Sequence, residues 1–154
     1  MLQLSQGSHP AQQRLIFEEL VAHQVSLLTR RAYIQQIASP AFAPSQKLAP
    51  ALLSSMPFQM TGAQQRVSQE IMQDLQRNKP MLRLVQGDVG AGKTLVAAVA
   101  ACHALEEGWQ VALMAPTEIL AEQHYLNFQK WFEPLGLTVA WLSGKQKGKA
   151  RAAA

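Results

Sequence analysis

A single eight-residue motif limits the folds open to this chain more than any other feature. Residues 87–94 read Gly-Asp-Val-Gly-Ala-Gly-Lys-Thr and match the pattern GxxxxGK[ST]. An apolar stretch precedes the motif and an alanine-rich stretch follows it, which predicts a strand, a glycine-rich turn and a helix in that order. Because P-loop NTPases require this context, we predict that fold class.

The residue types in the motif indicate its chemistry. Glycine backbones can turn closely enough for their N–H groups to point at phosphate oxygens, and the helix beginning at Lys93 adds the positive end of its dipole. We expect Lys93 to reach the β- and γ-phosphates of a nucleotide and the Thr94 hydroxyl to ligate Mg²⁺, which makes both candidate catalytic residues. The candidate nucleotide-binding residues of the motif are Gly87, Asp88, Val89, Gly90, Ala91, Gly92, Lys93 and Thr94. The alternative is a glycine-rich turn that binds no ligand.

The segments around the motif alternate between short apolar runs and helical patterns. They predict strands over residues 81–86, 111–115 and 137–142, with helices over residues 93–107 and 118–132 between them. A βαβαβ order implies parallel strands joined by right-handed crossovers. The predicted fold is therefore an α/β parallel sheet with flanking helices, without a fixed number of strands.

The first third of the chain has a different character. Apolar residues recur at three- and four-residue spacing from about residue 11 to 37, which predicts a long amphipathic helix. Residues 39–57 contain several prolines and little periodicity, so we interpret them as a linker or a loosely packed connection. The predicted organisation is a long helix within residues 1–38, this linker, and an α/β domain over residues 58–154.

Composition excludes several classes of protein. The chain is 48% apolar and 16% charged, as is typical of globular proteins. No apolar run approaches the roughly 20 residues that cross a bilayer, and the first 13 residues lack the basic and apolar blocks of a secretory signal. Cys102 is the single cysteine, so an internal disulfide is impossible. We therefore expect a cytoplasmic protein without membrane contact.

Positive charge is concentrated near the C-terminus. Four basic residues lie within the last ten, and without them the formal net charge of +4 disappears: Lys145, Lys147, Lys149 and Arg151. Such a run either contacts phosphate backbones or is simply solvated. Pro116 and Thr117 follow a predicted strand, at the edge where open α/β sheets bind ligands. Thr117 is accordingly a helix N-cap or a phosphate contact.

Gln64 also has two interpretations. Thr61 and Gln64 have the spacing of a capping box, which needs no ligand to explain it. Alternatively, the Gln64 amide contacts adenine by donating and accepting hydrogen bonds, while the nearby Phe58 ring stacks on the base. The residues alone leave both interpretations open.

Two long segments resemble the RecG-type branch-migration helicases of bacteria: QGDVGAGKT at 86–94 and MAPTEILAEQH at 114–124. Three shorter segments extend the resemblance. FQMTGAQ, from residue 58, is similar to the family's adenine motif. RLIFEEL, from residue 14, is similar to the helix that joins the family's wedge domain to its motor. LSGKQKGKAR, from residue 142, is similar to a loop that faces nucleic acid. Transcription-repair coupling translocases share the GDVG start of the loop, but TEILAEQH and GKQKGKAR favour the RecG type.

The resemblance implies the start of a RecA-like helicase lobe preceded by a connector helix from a wedge domain. It implies ATP and Mg²⁺ as cofactors and branched DNA, meaning forks and Holliday junctions, as the partner of a monomeric parent protein with no obligate protein partner. Gln64 and Phe58 are then adenine contacts. The residues implied to face DNA are Pro116, Thr117, Ser143, Gly144, Lys145 and Lys147. Ala91 stands where the family usually has Ser, but the loop should keep its geometry because backbone N–H groups make its contacts.

Other departures from the family pattern concern catalysis. No apolar strand ending in an Asp-Glu pair follows Thr94, and the second motor lobe, which in this family provides an arginine finger, is absent. We therefore interpret the chain, which ends in Arg151-Ala-Ala-Ala, as a truncated product that binds nucleotide weakly and does not hydrolyse it alone. The alternatives are a small kinase, a nucleic-acid-binding module that ignores ATP, and a non-functional fragment with an exposed sheet edge.

Overall fold

The computed structural model describes residues 9–144 and 148–153. The chain divides into two compact units. One comprises residues 1–40 with residues 78–82, and the other comprises residues 41–77 with residues 83–154. The predicted nucleotide-binding motif lies in the second unit.

The first unit contains one long helix, α1, Pro10–Ile34. Its N-terminus is favourable because Pro10 occupies the first turn and the His9 imidazole accepts a 3.2 Å hydrogen bond from the Ala11 amide. The predicted long helix is thus present. No residue of α1 is buried, and Leu15, for example, is 65% exposed. Within the described ranges, none of the helices has the length and apolar character needed to cross a membrane.

The second unit contains five α-helices in the described residues. They are α2, Leu48–Ser54; α3, Gly62–Leu75; α4, Lys93–Glu106; α5, Glu118–Phe132; and α6, Gly148–Ala153, with a 3-10 turn at Glu133–Leu135 after α5. The helices predicted after the motif and after Thr117 are both present. Hydroxyl side chains begin two of them, since Thr61 caps α3 and Thr117 caps α5.

Helix α4 is at the centre of the core. Its buried residues Ala98, Val99, Ala101 and Cys102 form one cluster with Ala49 and Leu52 of α2 and with Phe128 and Phe132 of α5. Helix α4 is alanine-rich and apolar on most of its surface, which suits a helix that packs against several neighbours. Because Lys93 is its first residue, the predicted phosphate-binding motif is attached directly to the most buried element of the unit.

The segment interpreted as a linker, residues 39–57, is packed from residue 41 onward and forms α2. Leu52 is completely buried and Ala49 is 6% exposed. Pro50 lies in the first turn of α2, where proline is tolerated because the amide there has no intrahelical acceptor. Residues 48–54 are therefore a packed helix, and their seven residues, about two turns, are too few to show a helical period.

The predicted sheet is not confirmed. No β-strand occurs in residues 9–144 and 148–153, and the segments 81–86, 111–115 and 137–142 are irregular. A strand exists only through hydrogen bonds to a neighbouring strand, and in the described part of the chain no backbone hydrogen bond joins these three segments. In the first two segments most apolar side chains are exposed, with Leu84 86% and Met114 95% exposed, while Leu137 and Val139 of the third pack against the core.

Candidate nucleotide-binding site

Two glycines give the loop before α4 its shape. Gly90 and Gly92 have φ angles of +83° and +77°, a region that residues with a Cβ rarely adopt. Gly92 is the residue at which the loop ends and α4 starts, with Lys93 as the first helical residue. The loop is exposed while the rest of α4 is buried. The exposed loop is therefore attached to a buried helix.

Lys93 is held by the carbonyl groups of its own loop. Its ammonium group donates hydrogen bonds of 2.7 Å to the carbonyl oxygens of Gly87 and Asp88. An ammonium group has three N–H donors, so one remains for a further acceptor. The charge of Lys93 is thus fixed over the loop, without any carboxylate neutralising it in the described residues.

The backbone of the loop presents unused donors. Within residues 9–144 and 148–153, the amide N–H groups of Gly90, Gly92, Lys93 and Thr94 have no hydrogen-bond acceptor. The last three lie at the N-terminus of α4, where the helix dipole favours negative charge. Unpaired amides and a fixed ammonium group are the donors that a polyphosphate needs, so the loop residues fit such a group.

The Thr94 hydroxyl is the candidate metal ligand. Thr94 is partly exposed in the first turn of α4, and its hydroxyl has no hydrogen-bond partner in the described ranges. These ranges contain no group of three or more His, Cys, Asp or Glu residues that would hold a metal by themselves. A magnesium ion here would therefore depend on nucleotide oxygens and water for its remaining ligands.

Gln64 contacts the loop directly. Its side-chain Oε1 accepts a 2.8 Å hydrogen bond from the Thr61 backbone amide, and the Gln64 backbone amide donates to the Thr61 hydroxyl at 3.3 Å. The capping box predicted from the sequence is therefore confirmed. In addition, Gln64 Nε2 donates a 2.9 Å hydrogen bond to the carbonyl oxygen of Ala91. The sequence did not predict this contact, because nothing in the pattern places residue 64 beside residue 91.

Phe58 lies beside an open cavity rather than in contact with the loop. The cavity has a volume of about 530 Å³ and is lined mainly by apolar side chains: Leu53, Met56, Pro57, Phe58 and Met60, together with the polar Ser54, Gln59 and Gln65. Phe58 is 54% exposed. Gln64, which touches the loop, adjoins the lining residue Gln65. The structure thus brings Gln64 to the loop before α4, and Phe58, six residues earlier, lines an apolar cavity.

The predicted DNA-facing residues occupy two exposed places. Pro116 and Thr117 precede α5, and the Thr117 hydroxyl accepts a 3.3 Å hydrogen bond from the Leu120 amide. The N-cap interpretation of Thr117 is therefore confirmed. Ser143 and Gly144 follow the third predicted strand, and the Ser143 carbonyl accepts a 3.3 Å hydrogen bond from Arg151. Lys145 and Lys147 lie outside the described residues.

The opposite end of α4 carries a cluster that the sequence did not indicate. Glu106 accepts hydrogen bonds from the Ser45 hydroxyl and from the amides of Gln46, Lys47 and Leu48, the residues that lead into α2. The bond from Ser45 and those from the amides lower the pKa of Glu106 to about 2. This cluster fixes the end of α4 to the start of α2. The loop of residues 87–92 lies at the other end of α4.

Comparison with known proteins identifies the family. The family model of the DEAD/DEAH box helicases matches residues 61–154, which include α3, the loop and α5. The chain belongs to the DEAD/DEAH box helicase family. This membership supports the P-loop NTPase fold, although the parallel sheet is not seen in the described residues.

Within this helicase family the chain is similar to RecG. It is 59% identical to the ATP-dependent DNA helicase RecG of Escherichia coli O157:H7 over 96% of this chain, and 57% identical to that of Haemophilus influenzae over 97%. A solved structure of RecG bound to a three-way DNA junction matches 79% of the chain with a TM-score of 0.69 and 42% identity. The resemblance to RecG is confirmed and favoured over the transcription-repair coupling translocases. The chain spans about a fifth of the length of these relatives, 21% and 22%.

Proposed function

We propose that this chain is the ATP-binding part of a RecG-type ATP-dependent DNA helicase, which uses nucleotide hydrolysis to remodel forks and Holliday junctions. The observation that carries the proposal is the loop before α4, where the Lys93 ammonium group and unpaired amides converge. Membership of the DEAD/DEAH box helicases implies the use of ATP with Mg²⁺. The RecG relatives named above are DNA helicases, and one of them was solved on branched DNA.

The loop residues divide the work of holding the nucleotide. The amides of Gly90, Gly92 and Lys93 donate to phosphate oxygens, and the free N–H of the Lys93 ammonium group binds the terminal phosphates. The Thr94 hydroxyl holds Mg²⁺, which when bound neutralises charge on the phosphates. Because Gly87 and Asp88 already fix the ammonium group, little reordering of Lys93 accompanies binding.

Gln64 retains the capacity to contact adenine. A glutamine amide has two acceptor lone pairs and two N–H donors. The contacts to Thr61 and Ala91 use one of each, which leaves one acceptor site and one donor for the base. We propose that Gln64 holds the loop and reads adenine with the same amide, while Phe58 supplies an apolar surface for the ring.

We propose that hydrolysis needs residues outside this chain. No aspartate follows Thr94 in the sequence, so the acidic pair that positions Mg²⁺ and the attacking water is absent. The chain should therefore bind nucleotide without turning it over. A steady ATPase rate that Lys93→Ala abolishes would contradict this part of the proposal.

Contacts to DNA are proposed at the two exposed places after α4. Pro116 and Thr117 at the start of α5, Ser143 and Gly144, and the adjoining Lys145 and Lys147 would meet the phosphate backbone. Such contacts carry no base sequence information but depend strongly on salt. Binding of a three-way junction that weakens with salt, and weakens uniformly across DNA sequences in Lys145→Ala, supports this assignment.

A thermal unfolding experiment tests the nucleotide proposal. A ligand that binds only the folded state at 100 times its Kd stabilises a protein by about 2.7 kcal/mol. We expect saturating ATP with Mg²⁺ to raise the unfolding midpoint of the wild type and to leave Lys93→Ala unchanged. An equal response of both proteins would show that the loop does not hold the nucleotide.

A further inference from the structure

Arg83 lies four residues before the loop and is bound to two carboxylates of α3. Its Nη1 donates to Glu70 at 2.6 Å and its Nε donates to Asp74 at 2.8 Å, while its Nη2 forms an ion pair with the same Asp74 oxygen at 2.6 Å. Glu70 and Asp74 are one helical turn apart, so their side chains point to the same side of α3. The planar guanidinium group can bridge them, which a lysine ammonium group does less well.

The same helix holds the other end of the loop. Gln64, in the first turn of α3, donates to the Ala91 carbonyl, one residue before Gly92. Helix α3 therefore contacts the chain on both sides of residues 87–90, at Arg83 before them and at Ala91 after them. Between these points the loop is held by the Ala91 amide bond to the Asp88 carbonyl, 3.2 Å, and by the bonds that Lys93 donates to the Gly87 and Asp88 carbonyls, 2.7 Å each.

We propose that Arg83 is a positioning residue for nucleotide binding, which through Glu70 and Asp74 fixes the approach to Gly87 and so sets the open form of the loop. The inference rests on the proposed nucleotide-binding function. Among the described residues Arg83 has no hydrogen bond or ion pair to the loop itself. Its action is to limit the positions of residues 84–87, where Leu84 is exposed and Val85 is only partly buried.

Arg83 acts by preorganising the loop for phosphate binding. A loop that samples several shapes binds phosphate less tightly, because only the fraction of molecules in the competent shape can bind. Ordinary packing would fix such a segment, but Leu84 is 86% exposed and contributes little. The ionic bridge at Arg83 is then the main restraint before the loop. The guanidinium group keeps its charge at all relevant pH values, since the hydrogen bond to Asp74 raises its pKa further.

The chain offers a matched control in Arg77. Its Nη1 approaches the other Asp74 oxygen at 3.5 Å, and its side chain is 70% exposed. Arg77 thus shares a carboxylate partner with Arg83, but it is not next to residues 84–87, the segment that enters the loop. Neutralising either arginine removes one positive charge beside Asp74, and only one of them restrains the approach to Gly87.

The test is the Kd of a fluorescent ATP analogue with Mg²⁺ for the full 154-residue chain and its variants. We expect Arg83→Gln to weaken binding about threefold to tenfold, Arg83→Lys to recover part of that loss, and Arg77→Gln to change the Kd less than twofold. A merely structural role would lower the unfolding midpoint without this pattern. Equal Kd values for Arg83→Gln, Arg77→Gln and the wild type overturn the proposal.

Hydrogen exchange supplies a second measurement that needs no nucleotide. The Ala91 amide, which donates to the Asp88 carbonyl, should exchange faster in Arg83→Gln than in Arg77→Gln, with unchanged exchange in the buried part of α4. If Arg83→Gln does not fold, the pair Glu70→Gln with Asp74→Asn removes the same bridge while keeping Arg83, and the same two measurements apply. Unchanged loop exchange in a folded variant overturns the inference.

Failure of the proposed function gives a different result. If the wild type and Lys93→Ala bind the analogue equally, the loop is not the nucleotide site, and the role proposed for Arg83 is contradicted as well. If the wild type binds and Lys93→Ala does not, nucleotide binding stands, and the comparison of Arg83→Gln with Arg77→Gln decides the inference alone.

Discussion

Gly92 and the Gln64 amide lie so close that a Cβ on Gly92 would overlap Gln64 Nε2. Gly92 also has a φ of +77°, while Gly90 has a φ of +83° with no atom within 4 Å of its virtual Cβ. Both positions disfavour alanine by roughly 1–2 kcal/mol of backbone strain, but only Gly92→Ala displaces Gln64 from Ala91. The two glycines therefore separate backbone strain from loss of the Gln64 contact.

We expect Gly92→Ala to weaken binding of ATP with Mg²⁺ more than Gly90→Ala does, with a difference of about tenfold. The measurement is the Kd of a fluorescent ATP analogue for each variant. In a Gln64→Ala background the two glycine variants should bind alike, because the amide that meets the new methyl group is gone. A difference that persists in that background would refute the part assigned to Gln64.

Leu52 tests whether the segment preceding α3 belongs to the folded second unit. It is completely buried against α4, so Leu52→Ala should lower the free energy of unfolding by about 2–5 kcal/mol. Leu15→Ala is the control, since Leu15 is 65% exposed and its loss should change stability by no more than about 0.5 kcal/mol. The measurement is urea unfolding. Equal stability of Leu52→Ala and the wild type would return residues 41–57 to the status of a linker.

His103 predicts a dependence of stability on pH. The Ser45 amide donates a 2.8 Å hydrogen bond to His103 Nδ1, so that nitrogen must be unprotonated. Burial lowers the pKa of His103 below its ordinary value of 6.5, while Glu106 acts in the opposite direction. The unfolded chain therefore binds the proton more readily, and folding is destabilised as the pH falls below about 6.5 until the folded imidazole is itself protonated.

His103→Gln keeps an acceptor for the Ser45 amide but does not titrate. We expect unfolding midpoints of the wild type to fall between pH 7 and pH 5 more steeply than those of the variant. Glu106 contributes little in this range, because its effect on stability sets in near its ordinary pKa of 4.5 and extends down toward its folded pKa of about 2. Parallel pH profiles for the two proteins would show that His103 is not the titrating group.

Cys102 predicts slow modification of the folded chain. It is completely buried in α4, and burial raises the pKa of its thiol to about 12. Since only the thiolate reacts, a thiol reagent at pH 8 should label Cys102 at the rate at which the core opens. Labelling should therefore accelerate in Leu52→Ala by about tenfold for each 1.4 kcal/mol of lost stability. Rapid labelling of the wild type would contradict a packed α4.

The sequence predicted those features that depend on local spacing. Glycines 90 and 92, the lysine that starts α4 and the threonine caps of α3 and α5 lie where the motif and capping patterns indicate. These features arise from neighbours in the chain, so a linear pattern contains them.

Contacts between distant residues were beyond the sequence. The Gln64 amide meets Ala91 across 27 positions, and Glu106 accepts from Ser45 across 61. Arg83 was not singled out, because its two carboxylates become neighbours only once α3 packs beside it. The predicted strands also depend on partners elsewhere in the chain, and residues 81–86 show that an apolar run does not form a strand without them.

Titration of the chain with a fluorescent ATP analogue and Mg²⁺ tests most directly whether Lys93 and the loop before α4 hold ATP. We expect saturable binding that Lys93→Ala abolishes, and adenine nucleotides that compete better than guanine nucleotides until Gln64→Ala removes the preference. Well-folded wild-type and Lys93→Ala proteins that bind equally, or not at all, would contradict this expectation.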